Sequence, residues 1–295
     1  MSSPMNNPGK AKYNVFGGDK PPKHSLEDTE GIEPIFRIKV HSEELKCLSL
    51  AEEGKRLVSC GEDGKVCLMN IENLLTRSPD NIILSSSTED SLGAHSVTAR
   101  GNICFSGGGD GKVKLWELGK GISIGDSVDL HKDVVNNVRV HSKENLLLTT
   151  SIDGTIRCLK YKPGAFVDKA TTPNFVLGYS QTPKSLCWAS EGKSQFGVGV
   201  FEENDLYMFD LKSPKPLTSI KLPQSKGKGV RQLQALPTEQ GYLAASEDGC
   251  VYQIDSVSNR VVQKFQIGVD PISALSISND GLNFLTGGAD GVDCE

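Results

Sequence analysis

A turn built on Asp-Gly recurs along most of the chain and constrains the fold more than any other feature. Five copies contain Asp-Gly, and a sixth has Glu203-Asn204 in the same place. The turns begin at positions 63, 110, 153, 203, 248 and 290, so successive copies are 47, 43, 50, 45 and 42 residues apart. Short runs rich in β-branched residues flank each turn, which predicts hairpins rather than helices.

Each repeat also has a second turn upstream, so two turns delimit three strands. In the first copy these strands are LKCLSL (45–50), RLVSC (56–60) and KVCLMNI (65–71). A fourth, more variable strand lies in the linker, as in RVVQKFQI (260–267). A hairpin repeat of about 45 residues predicts the four-stranded antiparallel blades of a β-propeller. We therefore expect an all-β propeller over residues 34–295.

Six anchors predict six blades, but the two ends of the chain leave the number open. PIFRIKV (34–40) precedes the first repeat and is placed to complete the last blade. After Asp290-Gly291 only four residues remain, fewer than the third strand of the other copies. Because an open ring exposes a sheet edge, we expect either a six-bladed ring closed by residues 34–40 or a truncated seven-bladed one.

Residues 1–33 differ from the rest of the chain. They are rich in Pro, Gly, Asn, Ser and Lys and lack apolar periodicity, which predicts a flexible tail. They contain no apolar signal-peptide core, and no stretch of the chain approaches 18 consecutive apolar residues, so no membrane contact is expected. The net charge of −5 argues against a basic nucleic-acid module. We expect a cytoplasmic or nuclear protein.

The cysteines and histidines predict neither a disulfide framework nor a metal or cofactor site. The eight cysteines are scattered through strand-like runs without a C-x-x-C pair, so we expect reduced, buried thiols. His41, His95 and His131 fall in separate repeats, and no Cys/His pair has the spacing of zinc ligands.

The second repeat, SGGGDGKVKLWEL (106–118), carries a recognisable set of polar residues. With His95, its Ser106, Asp110 and Trp116 resemble the four side chains that WD-repeat β-propellers link within one blade. The resemblance covers residues 34–295. It implies that the turn aspartate bonds the histidine, the histidine bonds the hydroxyl, and the hydroxyl accepts from the indole N–H. A buried carboxylate needs such donors.

The other repeats keep this set in part. The first has His41, Ser59 and Asp63, and the third has His131, Thr149 and Asp153. In the last, Asp270 occupies the expected histidine position, and the fourth and fifth copies lack the histidine.

Two catalytic interpretations are disfavoured. His, Ser and Asp in one unit suggest a hydrolase triad, but the set repeats with a structural turn and no G-x-S-x-G elbow surrounds a serine. The glycines at 107–109 fail as a phosphate loop, because that pattern needs glycine at Ser106 and a hydroxyl at Val113. We expect a turn and no enzyme; a propeller hydrolase is the minor alternative.

The resemblance implies a non-catalytic scaffold that binds other proteins within a multiprotein complex. The partner-binding residues should lie beside the histidine positions and just before the turn aspartates: Glu43, Glu62, Ser96, Lys132, Arg231, Glu247 and Asp270. An RNA- or ribosome-assembly-associated propeller is the alternative. It rests on the lysine-bearing tail and on the basic segment 221–232, where nucleic-acid contact would fall to Lys226, Lys228 and Arg231.

Overall fold

The computed structural model describes residues 39–72, 82–85, 92–119, 123–167, 175–177, 182–189, 194–200, 205–223, 229–237, 241–288 and 293–294. The predicted tail, residues 1–33, and most of the 34–40 segment lie outside these residues. Within them the chain forms antiparallel β-sheets and one 3-10 turn, Glu52–Gly54.

The first three sheets follow each other along the chain. The first comprises β1 (Leu45–Ala51), β2 (Arg56–Gly61), β3 (Val66–Asn70) and β4 (Ile82–Ser85). The second comprises β5 (Ala94–Arg100), β6 (Ile103–Gly108), β7 (Lys112–Glu117) and β8 (Ser123–Asp129). The third comprises β9 (Val135–Val140), β10 (Leu146–Ser151), β11 (Thr155–Lys162), β12 (Ala165–Phe166) and β13 (Phe175–Val176). Its outer strand is split, since β12 and β13 both pair with β11.

The last three sheets repeat the arrangement. The fourth comprises β14 (Pro183–Trp188), β15 (Gln195–Val200), β16 (Asp205–Asp210) and β17 (Ser213–Lys221). The fifth comprises β18 (Val230–Ala235), β19 (Gly241–Ser246), β20 (Cys250–Asp255) and β21 (Arg260–Gln266). The sixth comprises β22 (Ile272–Ile277), β23 (Phe284–Gly288) and β24 (Asp293–Cys294).

The prediction of an all-β propeller with four-stranded antiparallel blades is confirmed, but the prediction of six such blades is wrong. Five sheets have a complete set of strand positions, while the sixth has three strands among the described residues. The difference arises where the sequence was ambiguous. The third strand of the last repeat, β24, has only two residues, and nothing described pairs with its far edge.

The first strand of each sheet lies innermost, and each sheet packs face to face on the next. The inner strands follow one another in space: β1 packs on β5, β5 on β9, β9 on β14, β14 on β18, and β18 on β22. One apolar core cluster fills each of these five interfaces. Among the described residues no comparable packing or core cluster joins β22 to β1.

Side chains on the inner strands also bond to a neighbouring sheet. Ser49 Oγ accepts from the amide of Ala99, and Ser96 Oγ accepts from the amide of Val138. Trp188 Nε1 donates to the carbonyl oxygen of Arg139 at 3.0 Å. These bonds satisfy polar groups within the apolar interfaces and fix how one sheet sits on its neighbour.

The glycine-rich stretch of the second repeat forms a tight turn between β6 and β7. Gly111 has a φ of +78°, which favours glycine, and its amide donates to the carbonyl oxygen of Gly108 at 3.3 Å. A Cβ on Gly109 would collide with the carbonyl oxygen of Leu92. The glycines therefore serve a turn and close packing, and the segment that follows is a strand instead of the helix a phosphate loop requires.

Candidate interaction rim

The polar set of the first repeat closes within its own sheet. His41 Nδ1 lies 2.8 Å from Asp63 Oδ1, and His41 Nε2 lies 2.8 Å from Ser59 Oγ. The amides of Ser42 and Lys65 also donate to Asp63. Burial alone would raise the pKa of Asp63, but the hydrogen bonds from His41 and the two amides hold it below its ordinary value.

The third repeat has the same arrangement around His131. Its Nδ1 lies 3.2 Å from Asp153 Oδ2, and its Nε2 lies 2.8 Å from Thr149 Oγ1. Burial lowers the pKa of His131 to about 4, against the opposing effect of Asp153. The neutral ring then donates from Nδ1 to the carboxylate and accepts the threonine proton at Nε2.

These contacts have the order of a hydrolase triad but not its accessibility. Ser59 Oγ bonds His41, which bonds Asp63, as in a serine hydrolase. Ser59 is only 1% exposed and Thr149 is fully buried. A nucleophile must reach a substrate carbonyl, and these hydroxyls face the interior of a sheet interface.

The prediction for the second repeat is wrong for His95. Trp116 Nε1 donates to Ser106 Oγ at 2.8 Å, but His95 bonds the carbonyl oxygen of Leu92 instead of Asp110. Asp110 Oδ2 is buried without a hydrogen bond, although Lys112 Nζ lies 3.7 Å away. The reason is spacing: His41 and His131 precede their aspartates by 22 residues, whereas His95 precedes Asp110 by fifteen.

His95 occupies a different structural position, a β-bulge near the start of the inner strand. All six inner strands skip one residue of the ladder at this point. A bulge leaves one residue unpaired and re-aims its side chain. The skipped residues, which we call the bulge ring, are Lys46, His95, Asn136, Lys184, Arg231 and Ser273. Of these, the residue pattern pointed only to His95 and Arg231; a break in the inward–outward alternation was the available signal.

The bulge ring lies on one rim of the propeller, together with the turns that carry the aspartates. In the first, second, third and fifth repeats the start of the inner strand bonds the segment before the turn aspartate, as when Glu62 N donates to the carbonyl oxygen of Glu44 and Glu247 N to that of Gly229. Because every repeat runs in the same sense, these segments share one end. We call this end the loop rim.

Two repeats carry the same ion pair on the loop rim. Lys46 Nζ lies 2.6 Å from Glu62 Oε1, and Arg231 Nη2 lies 2.7 Å from Glu247 Oε1. In both pairs the bulge residue meets the glutamate just before the turn aspartate. The hydrogen bond from Lys46 holds the pKa of Glu62 below its ordinary value. In the fifth repeat, the ion pair with Glu247 offsets the positive charge of Arg231.

The fifth and sixth repeats lack the blade histidine, and the contacts of their remaining polar groups differ. In the fifth, the hydroxyl of Tyr252 lies 2.5 Å from Asp248 Oδ2, a contact that the sequence did not suggest. In the sixth, Thr286 Oγ1 is buried without a hydrogen-bond partner. Asp270 does not occupy the histidine position: by the 22-residue spacing that position is Gly268, and Asp270 corresponds to Glu43 and Asp133.

The predicted partner-binding residues divide by exposure. Glu43, Lys132 and Asp270 are exposed on the loop rim. Ser96 and Glu247 are buried, because Ser96 bonds the next sheet and Glu247 bonds Arg231, so their proposed role as contact residues is corrected. Glu62 and Arg231 are half-buried in the ion pairs. Lys226 and Lys228 lie outside the described residues.

The described residues contain no cluster of three or more His, Cys, Asp or Glu that could hold a metal ion. Seven of the cysteines, Cys47, Cys60, Cys67, Cys104, Cys158, Cys187 and Cys250, are free thiols. No helix in the described part of the chain has the length and apolarity needed to cross a membrane.

Comparisons with known proteins agree with this architecture. The family model for the WD domain, G-beta repeat, matches residues 32–70 and 126–159. Striatin-4 of Mus musculus is 22% identical over 275 residues, which are 87% of this chain and 36% of striatin-4. Cilia- and flagella-associated protein 52 of Sus scrofa is 26% identical over 133 residues, 45% of this chain and 20% of that protein. The chain thus spans about a third or less of the length of these relatives.

Solved structures show the same fold. The RRP9 WD40 repeats superpose with a TM-score of 0.69 at 17% identity, covering 84% of this chain and 74% of that one. The structure of U3-55K gives 0.68 at 17% identity, with the same coverage. With the repeats and the sheet topology, these matches show that the chain has a β-propeller fold similar to that of WD-repeat proteins.

Proposed function

We propose that this protein is a non-catalytic scaffold that binds partner proteins through its loop rim. The observation that carries the proposal is that the histidine, serine and aspartate side chains, which resemble a catalytic triad, hydrogen-bond one another inside the sheet. His41, Asp63 and Ser59 bond one another inside the first sheet, as their counterparts do in the third. Catalysis needs accessible groups, so these residues support blade structure and leave recognition to the rim.

The exposed part of the rim has mixed charge. Glu43, Lys132 and Asp270 offer isolated charges around the inner strands, beside the two closed ion pairs. Such a surface suits a protein partner with complementary charges of both signs, where electrostatics set specificity and association rate. A polyanion would need a continuous basic face, and Arg231 is already paired with Glu247. We propose that the protein acts in the cytoplasm or nucleus.

The test compares matched charge reversals in the full chain. Lys132→Glu and Asp270→Lys alter the rim, and Lys215→Glu makes the same change as the first on the exposed outer strand β17. Quantitative mass spectrometry of proteins co-purified from cells should give partners that wild type and Lys215→Glu retain. Both rim variants should recover several-fold less, with unchanged thermal unfolding.

Three results contradict the proposal. Partners lost with Lys215→Glu but kept by both rim variants would place binding elsewhere. A protein recovered alone in every purification would argue against a scaffold. Partners released by ribonuclease, with RNA retention that falls steeply as salt rises, would favour the RNA-binding alternative.

A further inference from the structure

Two cysteines face each other across the first sheet. Cys47 on β1 pairs directly with Cys60 on β2 in the antiparallel register. The other six cysteines of the described sheets, Cys67, Cys104, Cys158, Cys187, Cys250 and Cys294, stand opposite residues of other types. The Cys47–Cys60 pair is therefore the one place in the described sheets where two thiols share a rung.

The pair has the geometry that a disulfide needs. Directly opposed residues of an antiparallel pair have Cα atoms about 4.5–5.5 Å apart, within the range of about 4.4–6.8 Å found in disulfides. Residues directly opposite each other place their side chains on the same face of the sheet, so the two thiols lie on the same side of β1 and β2. No backbone movement is required to bring the sulfur atoms together.

The two thiols differ in accessibility and in acidity. Cys60 is fully buried, whereas Cys47 is half-buried on an inner strand, with its Sγ 3.4 Å from the carbonyl oxygen of Val97. The hydrogen bond from Cys60 lowers the pKa of Cys47 to about 6. Burial instead raises the pKa of Cys158, which is also half-buried, to about 12. Cys47 is therefore the more accessible and the more acidic of the two thiols, and reactivity toward oxidants rises with both properties.

We propose that Cys47 and Cys60 form a reversible thiol-oxidation site that responds to peroxides. The Cys47 thiolate attacks the peroxide O–O bond, giving the Cys47 sulfenic acid and, with one proton taken up, water. The Cys60 sulfur then attacks the sulfenic sulfur, forming the Cys47–Cys60 disulfide and releasing a second water. Two thiols are oxidised and one hydrogen peroxide is reduced. A dithiol reductant restores both thiols.

The site is tested on the intact chain by peptide mapping. The protein is freed of reductant, exposed to limiting hydrogen peroxide at neutral pH, alkylated and cut with trypsin. We expect peptides 47–55 and 57–65 to appear as one linked species, two hydrogen atoms lighter than their sum, that dithiothreitol separates. Cys158 serves as the internal reference and should remain unoxidised in the same digest.

Two variants separate the roles of the two thiols. Cys47→Ser should abolish peroxide consumption by the pair. Cys60→Ala should leave the sulfenic acid of Cys47 unresolved, so that dimedone labels it several-fold more than in wild type; an unchanged unfolding midpoint shows that the labelled protein is folded. Linkage of Cys47 to Cys104, equal oxidation of Cys158, or an unmodified Cys47 would each overturn the proposal.

Discussion

The His131 ring is buried and bonds on both sides. In the third repeat, Nδ1 of His131 bonds Asp153 and Nε2 accepts from Thr149. A protonated ring has no acceptor nitrogen, so protonation requires the Thr149 hydroxyl to turn and accept from Nε2 instead of donating to it, at a cost in free energy. Burial adds to this cost, which is why the folded-state pKa falls to about 4 from 6.5.

Stability should therefore depend on pH through His131. The pKa of His131 is near 6.5 in the unfolded chain and about 4 in the folded chain. Between pH 6.5 and 4 the ring is therefore protonated in the unfolded chain but neutral in the folded chain, which favours unfolding. The stabilising contribution is complete above pH 6.5 and is lost as pH falls toward 4. Urea denaturation at pH 7 and pH 5 should show a loss in the free energy of unfolding that His131→Gln reduces.

The aspartates of the first and third sheets titrate at lower pH than His131. The pKa values of Asp63 and Asp153 lie below their ordinary 3.8, so their effect begins at more acidic pH. A His131→Gln variant that loses as much unfolding free energy between pH 7 and pH 5 as wild type would show that His131 is not the titrating group.

The error at His95 shows what residue types alone leave undetermined. Gly93-Ala94-His95 matched the family pattern in composition, while the contact depends on a 22-residue spacing and on which residue of the inner strand is bulged. Likewise, Tyr252 holds Asp248 from the third strand, where no histidine pattern points to it. Residue patterns predicted the sets around His41 and His131, because there both spacing and type agree.

Strands and turns were more predictable than side-chain contacts, because their signals are local. The Asp-Gly turn needs a positive φ and the flanking runs alternate, so the hairpin β6–β7 follows from its own residues. The bulges and the split outer strand of the third sheet depend on packing against neighbouring sheets. Sequence periodicity carries little information about that packing.

The close approach at Gly109 gives a test at the level of this hairpin. A methyl group there would strike the backbone carbonyl oxygen of Leu92, next to the bond from Gly109 N to Gly93 O. Backbone cannot rotate away as a side chain can, so Gly109→Ala should lower the free energy of unfolding by roughly 1–3 kcal/mol. Thermal or urea unfolding measures the loss.

Gly119 provides the matched control. A Cβ there meets nothing within 4 Å, and its φ is not in the left-handed region. Gly119→Ala should change stability by less than about 0.5 kcal/mol. Equal effects of the two substitutions would mean that crowding at Leu92 does not restrict the turn.

At the scale of the whole molecule, the same inner-strand position meets different surroundings in different sheets. The residue second after the bulge is Leu48, Val97, Val138, Leu186, Leu233 or Leu275 in the six repeats. Five of these are at most 4% exposed because each packs on the preceding sheet. Leu48 is 52% exposed, since among the described residues no sheet packs against that face of the first one.

This contrast predicts unequal costs for the same substitution. Leu233→Ala removes a side chain only 1% exposed from the core between the fourth and fifth sheets, and should cost about 2–5 kcal/mol of unfolding free energy. Leu48→Ala removes fewer buried contacts and should cost less than about 1 kcal/mol. Urea denaturation of both variants measures the difference. If Leu48→Ala costs as much as Leu233→Ala, the face of the first sheet is covered in solution, and the ring has a further contact between its first sheet and another part of the molecule.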